Sequence, residues 1–244
     1  MYDIHCHILP MFDDGSESID ESCAMAELAF QSKVKGIIAT PHCNGEDLMD
    51  ADRFRAMCDM HTTLRAKLAE RDIPVEVYLG MEILLDDSIY EPLEHDALLT
   101  LNRSNYLLVE FPFDDNPDHV RALLKAVCLR GYRPVIAHPE RYDFVQSDPE
   151  MVFEFLDREY VLQVNRGSIM GRFGDNAKRC ARWLLDGQLA HVVASDGHSA
   201  THRTPYVFDC YQYILSKYSV EYAEVLFHEN PQRIIGNRPI LPNC

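Results

Sequence analysis

The sequence predicts an α/β protein in which parallel strands and helices alternate around one core. Seven short apolar runs favour strands, and they lie near residues 2, 37, 76, 106, 134, 161 and 191. Stretches with helical periodicity separate these runs, which is the pattern of repeated β/α units. With 244 residues and 47% hydrophobic content the chain can bury a sizeable core, so we expect a single domain over residues 1–244. Seven strands are one fewer than a regular eightfold barrel has.

The helices are predicted from capping signals and apolar spacing. Ser18 and Glu21 form a possible capping box at the start of the first helix. The residues that recur on one face of this helix are Ile19, Cys23, Ala26 and Phe30. The same spacing predicts a second helix, with Phe54, Met57, His61, Leu64 and Leu68 on its apolar face. Further helices are predicted over about 117–130, 149–158, 175–186, 204–217 and 220–229.

Composition restricts the function classes and the compartment. With 39 Asp and Glu against 23 Lys and Arg, the net charge of -16 opposes broad binding to nucleic acid or anionic lipid. Bound metal cations would reverse that sign locally, so an anionic substrate is compatible with it. The eight cysteines include no Cys-x-x-Cys pair, and no apolar stretch approaches the ~20 residues of a membrane span. We therefore expect a protein of the reducing cytoplasm, with no direct membrane insertion.

Potential metal ligands recur at or near the ends of the apolar runs. Because the carboxyl ends of parallel barrel strands meet at one rim, these side chains are expected to share a pocket. Nine of them are candidates: His5, His7, Asp14, His42, Glu82, Glu110, His138, Asp196 and His198. Nine ligands exceed the needs of one tetrahedral ion, and mixed imidazole and carboxylate donors suit Zn, Fe or Mn. We therefore expect two or three ions, with Glu82 as the carboxylate that bridges a pair.

The first run places its polar residues at alternate positions. In an extended strand Asp3, His5 and His7 point the same way, so the two imidazoles can bind one ion and Asp3 can orient a histidine. A His-x-His pair is by itself weak evidence, because two polar strand residues have the same spacing. The remaining candidates at other strand ends favour the metal site.

The charge balance of such a site favours hydrolysis of a phosphate monoester. Asp14, Glu82, Glu110 and Asp196 supply four negative charges against the six positive charges of three divalent ions. The positive remainder can hold a hydroxide and an incoming dianion. Divalent ions also lower the pKa of bound water towards ~7 and neutralise charge on the reacting oxygens.

Seven short motifs follow one another in an order that resembles a known family. They are Asp3-Ile4-His5-Cys6-His7, Asp13-Asp14-Gly15, Thr40-Pro41-His42, Gly80-Met81-Glu82-Ile83, Glu110-Phe111-Pro112, His138-Pro139-Glu140-Arg141-Tyr142 and Ser195-Asp196-Gly197-His198. The chain resembles the polymerase-and-histidinol-phosphatase (PHP) superfamily nearly end to end. More narrowly, it resembles the bacterial CpsB/CapC/YwqE-type metal-dependent protein-tyrosine phosphatases.

This resemblance implies a fold and a division of the ligands. The fold is a distorted TIM-like (β/α)7 barrel with a trinuclear site, often loaded with manganese, although Fe or Zn accept the same donors. By carry-over, His5, His7, Glu82 and Asp196 hold one ion. Glu82, Glu110 and His138 hold a second, and Asp14, His42 and His198 hold the third. Asp13 can exchange roles with Asp14.

Two arginines are candidates for phosphate recognition, because a planar guanidinium can contact two oxygens at once. Arg141 is close enough to His138 to enter the same pocket, and the resemblance implies that it clamps phosphate; the alternative is an ion pair with Glu140. Arg203 follows His198 and would assist. Arg166 is expected to be solvated at the surface. Asp196, His198 or a metal-bound water would give a proton to the leaving phenolate.

The expected activity is metal-dependent removal of phosphate from protein phosphotyrosine. The resemblance implies the C-terminal tail of a bacterial tyrosine autokinase as substrate, and control of capsular or extracellular polysaccharide production. Alternatives are a PHP-type small-molecule phosphatase such as histidinol-phosphate phosphatase, an amidohydrolase-type barrel and a non-catalytic binding module. A cysteine-dependent phosphatase is excluded, because no cysteine is followed six residues later by arginine. The oligomeric state is left open.

Overall fold

The computed structural model describes residues 1–95 and 97–241. Its strands are β1 (Tyr2–Cys6), β2 (Gly36–Ala39), β3 (His42–Cys43), β4 (Glu76–Leu79), β5 (Glu82–Leu84), β6 (Tyr106–Glu110), β7 (Arg133–Ala137), β8 (Val161–Asn165) and β9 (Val192–Ala194). All seven predicted strands are confirmed. The two additional strands, β3 and β5, continue β2 and β4 after an interruption of two residues.

Helices lie between the strands. They are α1 (Ile19–Gln31), α2 (Gly45–Met49), α3 (Ala51–Glu70), α4 (Tyr90–Glu94), α5 (Pro117–Leu129), α6 (Asp143–Ser147), α7 (Val152–Leu156), α8 (Arg166–Ile169), α9 (Gly174–Asp186), α10 (Phe208–Lys217), α11 (Val220–Glu224) and α12 (Asn230–Ile235). Short 3-10 turns lie at Asp87–Ile89, Leu101–Arg103, Pro139–Arg141 and Pro149–Met151, and a π-helical turn at Val225–Glu229. Within the described residues, no helix combines the length and apolarity that crossing a bilayer requires.

Every strand pairing is parallel. The strands form two ladders, β1-β2-β4 and β3-β5-β6-β7-β8-β9. After β9, the backbone N–H of Asp196 donates to the carbonyl of His5 at 2.9 Å, and His7 N–H donates to Gly197 at 2.8 Å. The end of β1 therefore lies beside the residues that follow β9, and the carboxyl ends of the strands share one side of the molecule.

Most strand residues are buried on both faces, as is usual for parallel sheets between helices, although Glu76 of β4 and Arg133 of β7 are exposed. A smaller apolar cluster is drawn mainly from alternate strand residues such as Ile38, Leu108, Val135 and Val192. A larger cluster joins the opposite strand faces to the helices. Close packing on both sides fixes the strand ends, and thus the side chains that follow them.

The first helix has the predicted cap but a different buried face. The Ser18 side chain accepts from the N–H of Glu21, which confirms the N-cap. The Glu21 carboxylate accepts from the N–H of Glu17 instead of that of Ser18, so the predicted capping box forms only in part. Phe30 is 51% exposed, however, whereas Ser22 is buried. Ser22 satisfies its hydroxyl on Ser16 and on the carbonyl of Ser18, so a polar residue occupies the buried face. Apolar periodicity alone could not detect this, and the predicted face was wrong at Phe30.

The other helix predictions are confirmed to differing extents. In α3, Met57, Leu64 and Leu68 are buried as predicted, whereas Phe54 is exposed. The helices over 117–130 and 175–186 are confirmed within one residue at each end. The segment 149–158 divides into a 3-10 turn and α7, and 220–229 ends in the π-helical turn. The helix predicted from 204 begins only at Phe208, because a residue before proline, here Thr204, disfavours helical backbone.

Candidate metal centre

The carboxyl ends of the strands bring all nine predicted ligands into one connected group. His5 lies in β1, His42 begins β3, Glu82 begins β5, and Glu110 ends β6. The others lie in the loops that follow β1, β7 and β9: His7, Asp14, His138, Asp196 and His198. Each is within 3.6 Å of at least one other member, atom to atom.

Glu82 is at the centre of this group and is fully buried. Its Oε2 lies 3.1 Å from His5 Nε2 and 3.2 Å from His7 Nε2. The Nδ1 of His42 approaches the same oxygen to 3.1 Å. The other oxygen, Oε1, lies 3.0 Å from His138 Nε2. One carboxylate therefore contacts four imidazoles, which come from β1 and its end, from β3 and from the end of β7.

Asp196 lies on the side of this cluster where β1 meets β9. Its Oδ1 is 3.4 Å from His5 Nε2 and 3.5 Å from both His7 Nε2 and His198 Nδ1. Donor atoms of His5, His7 and Asp196 lie close enough together to hold one cation. These three residues belong to one of the predicted ligand sets, together with Glu82.

Three of the remaining ligands, Asp14, His42 and Glu110, lie nearer to solvent. Asp14, whose side chain is 68% exposed, has Oδ1 3.3 Å from His198 Nε2 and 3.6 Å from His42 Nε2. Glu110 contacts His42 at 2.9 Å and His138 at 3.6 Å. Donor atoms of Asp14, His42 and His198 also meet within cation-binding distance, with His7 as a fourth member. His42 belongs to a further group with Glu82 and Glu110, so it lies between two predicted ion positions.

Two buried atoms that lack a hydrogen bond support cation binding at this cluster. Among the described residues, Glu82 Oε2 and His198 Nε2 are buried and make no hydrogen bond. Buried polar atoms in proteins normally have a partner. Because imidazole nitrogens and carboxylate oxygens surround both atoms, the donor set fits hard or borderline divalent ions.

The electrostatics of the cluster also favour cations. Burial disfavours the charged ring of His5, but Glu82 and Asp196 outweigh burial and raise its pKa. For His7 the hydrogen bond to Asp13 does the same and raises the pKa well above the usual range. Burial lowers the pKa of His198 to about 4, so its ring is neutral and available as a ligand at neutral pH. In the absence of metal, protons on His5 and His7 balance the negative charge of the carboxylates. Divalent ions would balance that charge instead, so metal binding should release protons.

Two histidines are oriented through their second ring nitrogen. Asp13 Oδ2 lies 2.6 Å from His7 Nδ1 and also accepts from the backbone N–H of His42 at 2.8 Å. Gln163 Oε1 lies 2.7 Å from His5 Nδ1. Such contacts fix the tautomer and leave the other nitrogen, Nε2, as the metal ligand. Sequence reasoning missed Gln163, although a glutamine inside the apolar run of β8 was a signal.

Asp3 does not orient a histidine ring, contrary to the sequence-based expectation. Its carboxylate accepts from the backbone N–H and the hydroxyl of Ser195, and from the backbone N–H of His5. The register of β1 against β2 shifts between Asp3 and Cys6. Such an irregularity interrupts strict side-chain alternation, so Asp3 and His5 acquire different neighbours.

Two of the predicted ligands have an unusual backbone conformation that orients their side chains. His138 has φ 36° and Asp196 has φ 52°, both in the left-handed region that residues other than glycine rarely adopt. His138 directly follows β7, and Asp196 is the second residue after β9. Gly15 permits a close return of the loop that carries Asp14, because a Cβ there would lie 2.3 Å from the carbonyl oxygen of His7. Strained backbone of this kind is typical of functional sites.

The two predicted phosphate-binding arginines border the cluster. Arg141 Nη1 lies 3.5 Å from Asp196 Oδ2, and Arg203 Nη2 donates to the same oxygen. The alternative pairing of Arg141 with Glu140 is absent from the described contacts, because Glu140 is fully buried and accepts from the backbone N–H of Asn165. Both guanidinium groups therefore lie where the strand ends converge.

The expectation for Arg166 was wrong. This residue is only 4% exposed, and its guanidinium donates two hydrogen bonds to Asp209, at 2.9 and 2.6 Å. The ion pair joins α8 to α10. Burial of an arginine requires a partner such as Asp209. Because Asp209 lies far from Arg166 in the sequence, the sequence alone did not identify it as this partner.

Comparison with known proteins identifies the family. The model of the family described as capsular polysaccharide synthesis, CpsB/CapC, matches residues 1–236. The chain belongs to the CpsB/CapC family. The resemblance inferred from the motifs is thereby confirmed.

Members of the CpsB/CapC family include close relatives over the full length of the chain. Tyrosine-protein phosphatase YwqE of Bacillus subtilis (strain 168) is 35% identical over 241 residues, 98% of this chain and 93% of that protein. Tyrosine-protein phosphatase CpsB of Streptococcus pneumoniae is 34% identical over 256 residues, 98% of this chain and all of that protein. A solved structure, reported among crystal structures of YwqE and CpsB as unique metal-dependent tyrosine phosphatases, superimposes with a TM-score of 0.87 at 34% identity. It covers 99% of this chain and 96% of that one.

Asp13 provides a test of ligand orientation in this CpsB/CapC protein. Replacing Asp13 with Asn removes the charged acceptor from His7 Nδ1 but retains the size of the side chain. We expect metal affinity to fall by roughly 10- to 100-fold, the usual effect of losing such a partner. Titration with Mn followed by isothermal calorimetry measures this. Asp20→Asn, at an exposed site in α1, is the control; equal affinities for Asp13→Asn and wild type would contradict the orienting role.

Proposed function

We propose that this protein is a metal-dependent phosphomonoester hydrolase that removes phosphate from protein phosphotyrosine. The observation that carries the proposal is the convergence of four imidazoles on the buried Glu82 carboxylate, beside two arginines. Such a site combines positions for cations with guanidinium groups for an anion. The names of the relatives as tyrosine phosphatases support the same reaction.

We assign two to three divalent ions, with Mn as the proposed metal, to the nine residues in the three ligand sets given above. When bound, the ions activate a water and neutralise charge on the phosphate. Arg141 and Arg203 bind the phosphate oxygens and orient the ester. Burial opposes ionisation of Asp196, but His5 and the neighbouring hydrogen bonds outweigh burial and hold its pKa well below the usual range. Asp196 and His198 therefore suit ligand roles better than the donation of a proton, and a phenolate, with a pKa near ~10, needs only modest proton donation.

We also propose that the described strands close into a single-domain, distorted TIM-like (β/α)7 barrel. The backbone bonds of His5 and His7 to residues 196 and 197 support closure between the first and last strands. In such a barrel the carboxyl-end rim is the usual location of the chemistry. The observed position of the nine residues agrees with this rule.

The proposed substrate is the tyrosine-phosphorylated C-terminal tail of a bacterial kinase that controls capsular or extracellular polysaccharide production. The family description in terms of capsular polysaccharide synthesis supports this assignment. We place the reaction in the cytoplasm. The seven cysteines that the structure describes are all free thiols, which agrees with a reducing compartment.

A substrate comparison tests the proposed function. The Mn-loaded protein should hydrolyse a phosphotyrosine peptide with a higher kcat/KM than histidinol phosphate, measured as phosphate release. Higher kcat/KM for histidinol phosphate would assign a small-molecule phosphatase instead. Binding of the peptide without turnover, under Mn, Fe and Zn in turn, would assign a binding module.

Arg141 is predicted to contribute directly to phosphate binding. Replacement with Ala removes a charged donor that borders Asp196, so we expect kcat/KM for the phosphotyrosine peptide to fall by about 10- to 100-fold, the size typical of a lost charged hydrogen bond. Arg121→Ala is the matched control, because Arg121 pairs with Glu154 and Asp118 on the surface. A variant Arg141→Ala that loses thermal stability but keeps wild-type kcat/KM would refute the clamp.

A further inference from the structure

Two phenylalanines enclose the guanidinium of Arg141. Its Cζ lies 4.5 Å from the centre of the Phe113 ring and 4.6 Å from that of Phe173. Arg203 approaches the Phe173 ring as well, with Cζ 5.4 Å from its centre. Phe173 therefore contacts both arginines, whereas Phe113 has a described contact with only one of the two, Arg141.

The position of Phe173 is fixed by the turn between α8 and α9. A Cβ on Gly167 would lie 2.4 Å from Cε2 of Phe173, so the ring packs directly against the glycine backbone. The N–H of Arg172 donates to the carbonyl of Gly167 at 2.8 Å and closes the turn. The side chain of Arg172 donates to the carbonyl of His202 at 3.0 Å, which joins this turn to the loop that carries Arg203.

Two guanidinium groups that meet at one carboxylate oxygen repel each other. Both Arg141 and Arg203 contact Asp196 Oδ2, so their charges lie close together. An aromatic face attracts cations through its negative quadrupole, and a rigid ring restricts the orientation of a flexible side chain. Phe173 offers such a face to both groups at once, which offsets the repulsion and keeps the two arginines separate.

We propose that Phe173 is a positioning residue that holds Arg141 and Arg203 in the arrangement required to bind a phosphate group. The inference rests on the proposed function and extends it, because Phe173 acts through the arginines and has no assigned contact with substrate or metal. Gly167 contributes to the same positioning, because it has no side chain and leaves the space that the Phe173 ring occupies. The ligand that the two positioned arginines bind is a phosphate monoester dianion or its product, inorganic phosphate.

The variant Phe173→Leu tests this in the Mn-loaded, full-length protein. Loss of contacts to two cations should raise the Kd of inorganic phosphate about tenfold, with a similar fall in kcat/KM for a phosphotyrosine peptide. The number of bound Mn ions should stay at the wild-type value. Phe173→Tyr retains the ring and should restore affinity. Phe153→Leu, at an exposed ring that contacts Trp183, is the control for loss of a surface phenylalanine.

A double-mutant cycle separates positioning from general destabilisation. In a background with Arg141→Ala and Arg203→Ala, Phe173→Leu should change phosphate affinity by less than about twofold, because the groups it positions are gone. A tenfold change in that background would overturn the inference, as would wild-type affinity in Phe173→Leu. Gly167→Ala should displace the ring and reproduce the loss even if Phe173→Leu folds poorly; unchanged affinity there also counts against it. Phosphate binding is measured apart from turnover, so a protein that binds phosphate but cleaves no phosphotyrosine refutes only the proposed function.

Discussion

Replacing Glu82 with Gln should reduce turnover of a phosphotyrosine peptide by roughly 100-fold or more. Glu82 Oε2 lies within 3.2 Å of ring nitrogens of His5, His7 and His42, and Oε1 lies 3.0 Å from His138. The amide keeps the size of the side chain but removes the charge that would bridge two ions. Even residues that only support a metal ligand contribute about 10- to 100-fold, so a bridging ligand should contribute at least as much.

Metal content and activity are measured together for this variant. Elemental analysis of Glu82→Gln should show fewer bound ions per chain than in wild type, and phosphate release should fall in parallel. Glu76→Gln is the matched control, because Glu76 lies in the preceding strand β4 and bonds to the hydroxyl of Tyr78 at the surface. Wild-type turnover by Glu82→Gln at full metal occupancy would contradict the bridging role.

Replacing Asp196 with Asn should weaken both metal binding and phosphate binding, because this residue contacts the proposed metal ligands and the two arginines. Oδ1 faces His5, His7 and His198, whereas Oδ2 accepts from Arg141 and Arg203. The neutral amide weakens the metal site and releases the arginines from their anchor. We expect turnover to fall by roughly 100-fold or more, with weaker binding of inorganic phosphate as well.

Phosphate affinity distinguishes Asp196 from Glu82. At matched metal occupancy, Asp196→Asn should bind inorganic phosphate more weakly than Glu82→Gln, since Glu82 has no described contact with either arginine. Asp52→Asn is the control, because the side chain of Asp52 is 88% exposed and pairs only with Arg55 among the described salt bridges. Equal phosphate affinities for the two site variants would show that the arginines do not depend on Asp196.

Local patterns in the sequence were sufficient to predict the strands, and to predict that the nine candidate ligands lie close together. A parallel strand that is buried on both faces appears as a short apolar run, and residues at or just beyond its carboxyl end are held at the rim. For this reason Glu110, His138 and Asp196 could be placed together without a structure. Their division among individual ions was carried over from relatives and stays a prediction, because the groups that the structure brings together share His7 and His42.

Features that depend on contacts between distant segments could not be predicted. At the register shift in β1, Asp3 accepts a hydrogen bond from Ser195, which lies 192 residues further along the chain. Arg166 is buried because it pairs with Asp209, and no pattern in the sequence indicates that these two residues form a pair. Phe173 lies in an irregular turn whose course is set by Gly167 and His202, so periodicity gave no indication of its contact with two arginines.

Chelation of the purified protein, with bound ions counted before and after, most directly tests whether these residues form a hydrolytic metal centre. We predict two to three divalent ions per chain, loss of phosphotyrosine-peptide hydrolysis when they are removed, and recovery when Mn is restored. Undiminished hydrolysis by protein that contains no metal would contradict a role for the nine residues as ligands of catalytic ions.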